Sequence, residues 1–168
     1  KSNLDVIGVR FSRTVCRKIP QNLTKQFPNM KILQVSHSDI DTITRDELKE
    51  YEKLEELWIE FGCLEHLPGE LFADFKCLKS VSFAGNPIKY IEWDILESFR
   101  PLVFLNFNSV EMIDYKYAEH DEDTCMDFLM VKLCNNICPR AIHRQVAELT
   151  KENRKLKAEL EALKKMKE

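Results

Sequence analysis

The chain has 168 residues, a formal net charge of −3 and enough apolar residues, 44%, to build a core. This length suits one compact unit with an appended segment, and so mild a charge argues against a broad basic surface for nucleic acid. No apolar run approaches the roughly 20 residues that a membrane-spanning helix needs. The four glycines are scattered, and GxSxG, HExxH and paired CxxC motifs are absent. We therefore expect no catalytic activity, no cofactor and no metal site.

Apolar residues recur every 24 positions over residues 6–117. The columns are Val6, Met30, Leu54, Leu78 and Leu102; Val9, Leu33, Leu57, Val81 and Leu105; Phe11, Val35, Ile59, Phe83 and Phe107; Cys16, Ile40, Leu64, Ile88 and Met112; Ile19, Ile43, Leu67 and Ile91; and Phe27, Tyr51, Phe75 and Phe99. The second and third columns alternate with period two, which predicts one short strand in each repeat. A single repeat cannot bury its own apolar face, so stacked repeats must share one core.

This pattern, LxxLxLxxNxLxxLP with a late phenylalanine, resembles the leucine-rich-repeat (LRR) family. The resemblance implies an α/β solenoid of about five 24-residue repeats over residues 1–117, with a parallel sheet on its concave face. Only Asn86 occupies the position of the family's asparagine ladder, and its equivalents are Thr14, Ser38, Gly62 and Val110. We therefore expect a degraded ladder. No cysteine-framed cap precedes the first repeat, so residues 1–8 must shield the first strand or leave its edge bare.

The repeat also predicts which side chains face solvent on the concave side. They lie between and just after the inward positions of each strand, and aromatic residues and arginines among them are the usual anchors of interfaces. The predicted protein-binding patch consists of Arg10, Arg13, His37, Trp58, Glu60 and Phe61. The small residues Ser82, Ala84 and Gly85 suggest a shallow seat beside it. The alternative is that Trp58 lies flat on neighbouring side chains and binds no partner.

Six cysteines bear on the compartment. Cys16 falls in a core column, whereas Cys63 and Cys77 should lie at opposite ends of a coil and not pair. The others cluster in residues 118–138, a predicted helical C-terminal cap that covers the last repeat; they are the candidate disulfide residues Cys125, Cys134 and Cys138. The even total of six cysteines, with three clustered in the predicted cap, favours a secreted protein with disulfides. The alternative is a cytosolic protein with reduced thiols. Asn22 begins a glycosylation sequon, a short motif that is also frequent by chance.

Residues 139–168 read as a coiled-coil helix. Leucine predominates at d, and one asparagine occupies an a position, which favours a parallel two-stranded coil. The predicted dimerisation residues are Ile142, Val146, Leu149, Asn153, Leu156, Leu160 and Leu163. Cys134 or Cys138 would link two chains near the start of this coil, unless the cap cysteines pair within one chain. A zipper-type DNA-binding factor is disfavoured, because no basic helix precedes the coil.

The order of modules resembles the secreted leucine-rich-repeat immune proteins of mosquitoes. That resemblance implies a role in insect innate immunity, in which the protein binds or scaffolds complement-like proteins. The alternatives are a developmental or cell-adhesion LRR ectodomain and an intracellular LRR scaffold. The identity of the ligand, the cysteine connectivity and the choice between a homodimer and a paralogue heterodimer stay open.

Overall fold

The computed structural model describes residues 2–111, 113, 115–119 and 126. Its main sheet has six strands: β1 (Gly8–Ser12), β2 (Ile32–Ser36), β3 (Glu56–Glu60), β5 (Ser80–Ser82), β7 (Phe104–Asn106) and β8 (Lys116–Ala118). The first five run parallel to one another, and β8 pairs with β7 in the antiparallel direction. The mostly parallel sheet agrees with the predicted α/β solenoid.

The chain returns between strands through short elements. These are β4 (His66–Leu67) and β6 (Tyr90–Ile91), which form a second parallel pair; the helices α1 (Leu23–Gln26), α2 (Arg45–Leu48) and α3 (Ile95–Phe99); and two 3₁₀ turns, Asn3–Asp5 and Lys49–Tyr51. Helix α2 begins at a capping box, in which Thr44 and Glu47 satisfy each other's backbone N–H groups. None of the helices in these described residues is long and apolar enough to cross a membrane.

The 24-residue columns form the core. Val9 pairs with Leu33, Leu33 with Leu57, Leu57 with Val81, and Val81 with Leu105. The last four are fully buried, and burial of each such side chain contributes about 1.5 to 3 kcal/mol. Val9 is only half-buried because no coil precedes it among the residues described. The apolar pattern therefore sets the register of the sheet, as the sequence predicted.

Aromatic side chains fill the convex half of the core. Phe83 and Phe99 each pack against Phe107, with ring centroids 5.9 Å apart. Tyr51 occupies the same position in its repeat as Phe75 does one coil later. It is buried, and its hydroxyl donates a hydrogen bond to the Pro20 carbonyl. Burial, and then the neighbouring Glu50 carboxylate, raises the pKa of Tyr51. The late aromatic column thus joins the return segments of adjacent coils.

Asn86 makes the hydrogen bonds that the other ladder positions lack. Its Nδ2 donates to the carbonyls of Ile59 and Phe83 at 2.8 Å, and its Oδ1 accepts from the Leu64 N–H at 3.3 Å. By contrast, the buried hydroxyl of Ser38 has no hydrogen-bond partner. The degraded ladder therefore has one complete rung, between the third and fourth coils.

Replacing Asn86 with alanine should lower the free energy of unfolding by about 2 to 3 kcal/mol, because buried backbone groups lose their partner. The matched control is Ser38→Ala at the equivalent position, which should be neutral or stabilising by up to about 1 kcal/mol. Urea unfolding of both variants measures the two values. Equal losses at the two positions would show that side-chain volume, and not hydrogen bonding, matters in this column.

Ion pairs also recur at the 24-residue spacing, along the edge of the sheet where the strands begin. Glu55 Oε1 lies 2.6 Å from Lys31 Nζ, and Glu55 Oε2 lies 2.8 Å from Lys79 Nζ. The hydrogen bond from Lys31, and then that from Lys79, lowers the pKa of Glu55 to about 2. This carboxylate therefore bridges three consecutive coils.

Glu55→Gln should lower the urea midpoint at neutral pH. Because the pKa of Glu55 is depressed in the folded state, its stabilising effect is complete above its ordinary pKa of 4.5 and disappears as the pH falls to about 2. The difference in stability between wild type and Glu55→Gln should therefore vanish as the pH falls from 4.5 to about 2. High salt should also reduce this difference. Glu65→Gln, which removes a single pair with Lys89, is the control and should show a smaller difference at neutral pH. A difference that persists unchanged at pH 2 would contradict the electrostatic explanation.

The end of the sheet spans the predicted boundary between residues 117 and 118. In β8, Tyr117 lies opposite Leu105 and packs against the core, so an antiparallel strand covers the outer edge of β7. Met126, from the predicted cap, is half-buried against the same core. Residues 120–125 and 127–138 of the predicted cap, with Cys125, Cys134 and Cys138, and the whole predicted coiled coil lie outside the described residues.

Candidate functional site

The structure places the central concave residues in one row across the sheet. Arg10 pairs with Gln34, Gln34 with Trp58, Trp58 with Ser82, and Ser82 with Asn106. Adjacent strands lie about 4.8 Å apart, so Arg10 and Trp58 stand roughly 10 Å from each other. The predicted patch therefore occupies the first three strands, with its aromatic residues on β3 and just after it.

A second row lies where the backbone turns, one residue beyond β1, β2 and β3 and three residues beyond β5 and β7. Its residues all have positive φ, between 51° and 66°; they are Arg13, His37, Phe61, Gly85 and Ser109. In the first four, the N–H donates to a carbonyl of the next coil at 2.8–3.0 Å. We call these five residues the left-handed row. Only glycine adopts this conformation without steric cost, so Arg13, His37 and Phe61 are held in it by their backbone hydrogen bonds to the next coil.

Phe61 is the most exposed aromatic residue on this face, at 49%. Its ring stacks on His37, with centroids 4.9 Å apart and planes 19° apart. On its other side lies Gly85, where a Cβ atom would come within 2.4 Å of Phe61 Cδ1. Gly85 therefore provides both the positive φ and the space in which the Phe61 ring lies. The exposed ring is fixed from two sides.

Trp58 is held by contacts within the chain. Its Nε1 donates to Glu56 Oε2 at 3.1 Å, and its ring lies 5.3 Å from that of Phe104. Lys116 Nζ lies 5.8 Å from the centroid of Phe104. Trp58 is half-buried as a result. These contacts match the alternative in which Trp58 lies on its neighbours, and the sequence pattern did not identify Glu56 or Phe104 as its partners.

The predicted seat of small residues is not open. Ser82 and Ala84 are buried, and the Ser82 hydroxyl donates to Glu60 Oε1 at 2.5 Å. The ring of Phe61 occupies the space above Gly85. Small side chains allow their larger neighbours to fold over them, and here those neighbours fill the seat. Glu60 and Phe61, which were predicted to belong to the neighbouring binding patch, are therefore the residues that cover it.

The two arginines of the patch remain available. Arg10 and Arg13 are exposed and form no ion pair within the described part of the chain. His37 is exposed beside Phe61. The patch thus combines a fixed aromatic surface with positive charge at the first coil. Within the residues described, no three histidine, cysteine or acidic side chains lie together as a metal site would require.

The described cysteines are all free thiols: Cys16 is half-buried, and Cys63 and Cys77 are exposed. Cys63 and Cys77 do not pair with each other, as predicted. Asn22 is exposed with φ of 65°, and its Oδ1 accepts a hydrogen bond from Lys25 Nζ at 2.7 Å. The sequon asparagine is therefore accessible at the surface, before α1.

The mostly parallel sheet, whose strands recur at 24-residue intervals, is consistent with a solenoid-like fold similar to that of leucine-rich-repeat proteins. No family model matches the chain, and no curated protein matches it. A chain in the solved structure of the Toll–Spatzle complex, described as a molecular hub in Drosophila development and innate immunity, is similar with a TM-score of 0.55 and 14% identity. The match covers 65% of this chain and 14% of that chain. At this identity the likeness shows an LRR-like fold alone.

Gly85→Ala should destabilise the protein by about 1 to 2 kcal/mol, since alanine is strained at positive φ and its Cβ would collide with Phe61. The same change should displace the Phe61 ring and alter its stacking on His37, which ring-proton NMR shifts report. The control is Gly8→Ala, where a Cβ would make only ordinary contact with Ile32 at 3.4 Å. Unchanged ring shifts in Gly85→Ala would contradict the proposed support of Phe61.

Proposed function

We propose that this protein is a non-catalytic, protein-binding LRR module of about five repeats, whose concave face carries the binding site. The observation that supports this proposal most directly is the ring of Phe61, half-exposed and fixed between His37 and Gly85. Aromatic side chains with a rigid, exposed face dominate the energetics of many interfaces. Because the ring is already ordered, little conformational entropy is lost when a partner covers it.

The remaining residues of the proposed site surround this ring. Arg10 and Arg13 lie toward the first coil and supply unpaired positive charge. Trp58 and Glu60 support the surface through their contacts with Phe104 and Ser82. We therefore propose that the ligand is a protein with an apolar group for Phe61 and acidic groups for the arginines. His37 is both the support of the ring and a polar contact at its border.

The proposed setting is extracellular, in insect innate immunity. The likeness to a chain of the Toll–Spatzle complex is compatible with an immune or developmental role, and the order of modules resembles the mosquito immune proteins. In this proposal the protein is secreted, Asn22 carries a glycan, a helical cap covers the last repeat, and the cap cysteines form disulfides. Residues 139–168 pair two chains as a parallel coiled coil. Light scattering, with denaturing gels run with and without reductant, tests the dimer and its covalent link.

Phe61→Ala should weaken partner binding at least tenfold, a loss of about 1.4 kcal/mol or more, as expected for an interface anchor. Wild type and variant are each immobilised and exposed to insect extracellular fluid, and the captured protein is then titrated against both. The control is Tyr90→Ala, which removes another exposed aromatic ring, 45% accessible, from β6 outside the concave sheet.

Equal affinity of wild type and Phe61→Ala for the captured partner would overturn the concave-face site. A loss in both Phe61→Ala and Tyr90→Ala would indicate general surface effects instead. Thermal unfolding of each variant is measured first. Beyond the loss of contacts with neighbouring side chains, replacing an exposed residue should change the free energy of unfolding by less than about 0.5 kcal/mol.

A further inference from the structure

The charged side chains on the concave face of the strands form no ion pair within the residues that the structure describes. The ion pairs among those residues all involve other side chains. The unpaired set has one basic residue on β1, two acidic residues on β3 and one basic residue on β8; they are Arg10, Glu56, Glu60 and Lys116. Charges that the described chain does not neutralise are available to select a partner.

The two carboxylates of β3 flank Trp58. Side chains two residues apart on a strand share a face, so Glu56 and Glu60 lie on the same side of the sheet as Trp58. Glu56 Oε2 accepts a hydrogen bond from Trp58 Nε1 at 3.1 Å, and Glu60 Oε1 accepts one from the Ser82 hydroxyl at 2.5 Å. Each carboxylate is therefore held through one oxygen, and its second oxygen is left to receive a cation.

Lys116 places positive charge on the other side of these carboxylates from Arg10. It lies opposite Asn106, which belongs to the central concave row, and directly opposite residues of paired strands share a face. Its Nζ lies over the ring of Phe104, 5.8 Å from the centroid. The ammonium group of this β8 residue is thus positioned above β7.

The charges alternate at regular intervals along the sheet. Strands β1, β3 and β7 are each two strands from the next in the order of the sheet. Because adjacent strands lie about 4.8 Å apart, the Arg10 charge, the two carboxylates and the Lys116 ammonium follow one another roughly every 10 Å. The sign of the charge along this line is positive, negative and positive.

This interval matches one turn of a polyproline II helix. Such a helix has three residues per turn and a rise of about 3.1 Å per residue, so every third side chain faces the same way, about 9 Å along. A β-strand repeats its facing side chains about every 7 Å, which fits the interval less well. The half-buried rings of Trp58 and Phe104 lie 5.3 Å apart on the same face, and aromatic-lined surfaces are the usual docking sites of polyproline II segments.

Amide side chains between the charges favour the same kind of ligand. Gln34 on β2 forms no side-chain hydrogen bond within the described residues, and Asn106 uses only its Oδ1, which accepts from the Asn108 N–H at 3.0 Å. A polyproline II segment has no internal hydrogen bonds and offers its backbone groups to such amides. An α-helix bonds its own backbone groups internally and would leave them unpaired.

We propose that the concave face binds a polyproline II segment of a partner protein that runs across the strands and carries an acidic, a basic and an acidic residue, each three positions apart. The outer acidic residues meet Arg10 and Lys116, and the central basic residue meets Glu56 and Glu60 over the ring of Trp58. The inference rests on the proposed function of this face and adds the conformation and the charge order of the ligand.

The test uses the full chain and a synthetic peptide with blocked ends, in the order aspartate, proline, alanine, arginine, proline, alanine, aspartate. The control peptide exchanges the arginine with the first aspartate, so composition, net charge and proline positions are unchanged. NMR titration follows the backbone amides of Gln34, Trp58 and Asn106 and the indole N–H of Trp58. These signals should shift saturably with the first peptide, and the control peptide should bind at least about threefold more weakly.

Charge reversal on the protein tests the contact with Lys116. Lys116→Glu should weaken binding of the first peptide by about threefold or more. A peptide whose last aspartate is replaced by lysine should bind this variant more tightly than it binds wild type. The matched control is Lys89→Glu, which makes the same change of charge at a residue paired with Glu65 outside the concave sheet, and it should change neither affinity by more than about twofold.

Removal of the central charge tests the carboxylates. The double variant Glu56→Gln, Glu60→Gln keeps an acceptor for Trp58 and for Ser82 but loses both charges. It should bind the first peptide at least about fivefold more weakly than wild type does. A peptide with citrulline, the neutral analogue of arginine, should bind wild type and the double variant equally.

The proposal is overturned if no signal shifts saturably, if the two peptides of equal composition bind equally, or if Lys89→Glu has the same effect as Lys116→Glu. Phe61→Ala should leave the affinity for the first peptide within about twofold, since Phe61 lies three residues beyond Trp58, roughly 10 Å along the strand direction. Failure with the peptides therefore counts against the charge order alone. Failure of the Phe61→Ala test on the captured partner counts against the proposed concave-face site.

Discussion

Each coil of this protein has apolar side chains that it cannot bury alone, and this requirement governs the whole molecule. Burial is achieved only when the next coil repeats the same positions in register, 24 residues later, as Leu33, Leu57 and Val81 do. Once the register is set, other interactions adopt the same spacing. The bridge of Lys31 and Lys79 to Glu55 and the hydrogen bonds of Asn86 join coils that the core has already aligned.

The register also explains how a concave surface arises from ordinary strands. Residues that point away from the core form continuous rows, and the left-handed row adds a second set at the turn. Backbone hydrogen bonds to the next coil hold that turn in the first four repeats, so its side chains emerge at regular positions regardless of their identity. Function can then vary at these positions without altering the core. Phe61 is one such variation, and its support by His37 and Gly85 makes it rigid.

The sequence predicted the features that depend on the 24-residue recurrence of apolar residues. The spacing predicted one strand in each repeat and the inward-facing columns, whereas the parallel sheet and the role of Asn86 were implied by the resemblance to the LRR family. It could not predict the contact of Trp58 with Phe104, which passes over the small residues of β5 and depends on the sizes of several side chains. Nor did it predict β8, since the three residues of that strand carry no repeat signal and pair because the edge of β7 is available. The filled seat at Ser82, Ala84 and Gly85 was missed for the same reason: exposure depends on what the neighbours cover.

The contact of Phe61 with Gly85 ties together two positions that are 24 residues apart in the chain. As long as an aromatic ring occupies position 61, position 85 has no room for a side chain. Loss of the ring would remove that steric restriction and leave only the backbone preference for glycine, which asparagine partly satisfies. Substitutions at the two positions should therefore be acquired in a fixed order during evolution, with the large side chain lost before a new one appears. The stacking of coils thus creates epistasis between positions 61 and 85, which occupy the same place in adjacent repeats.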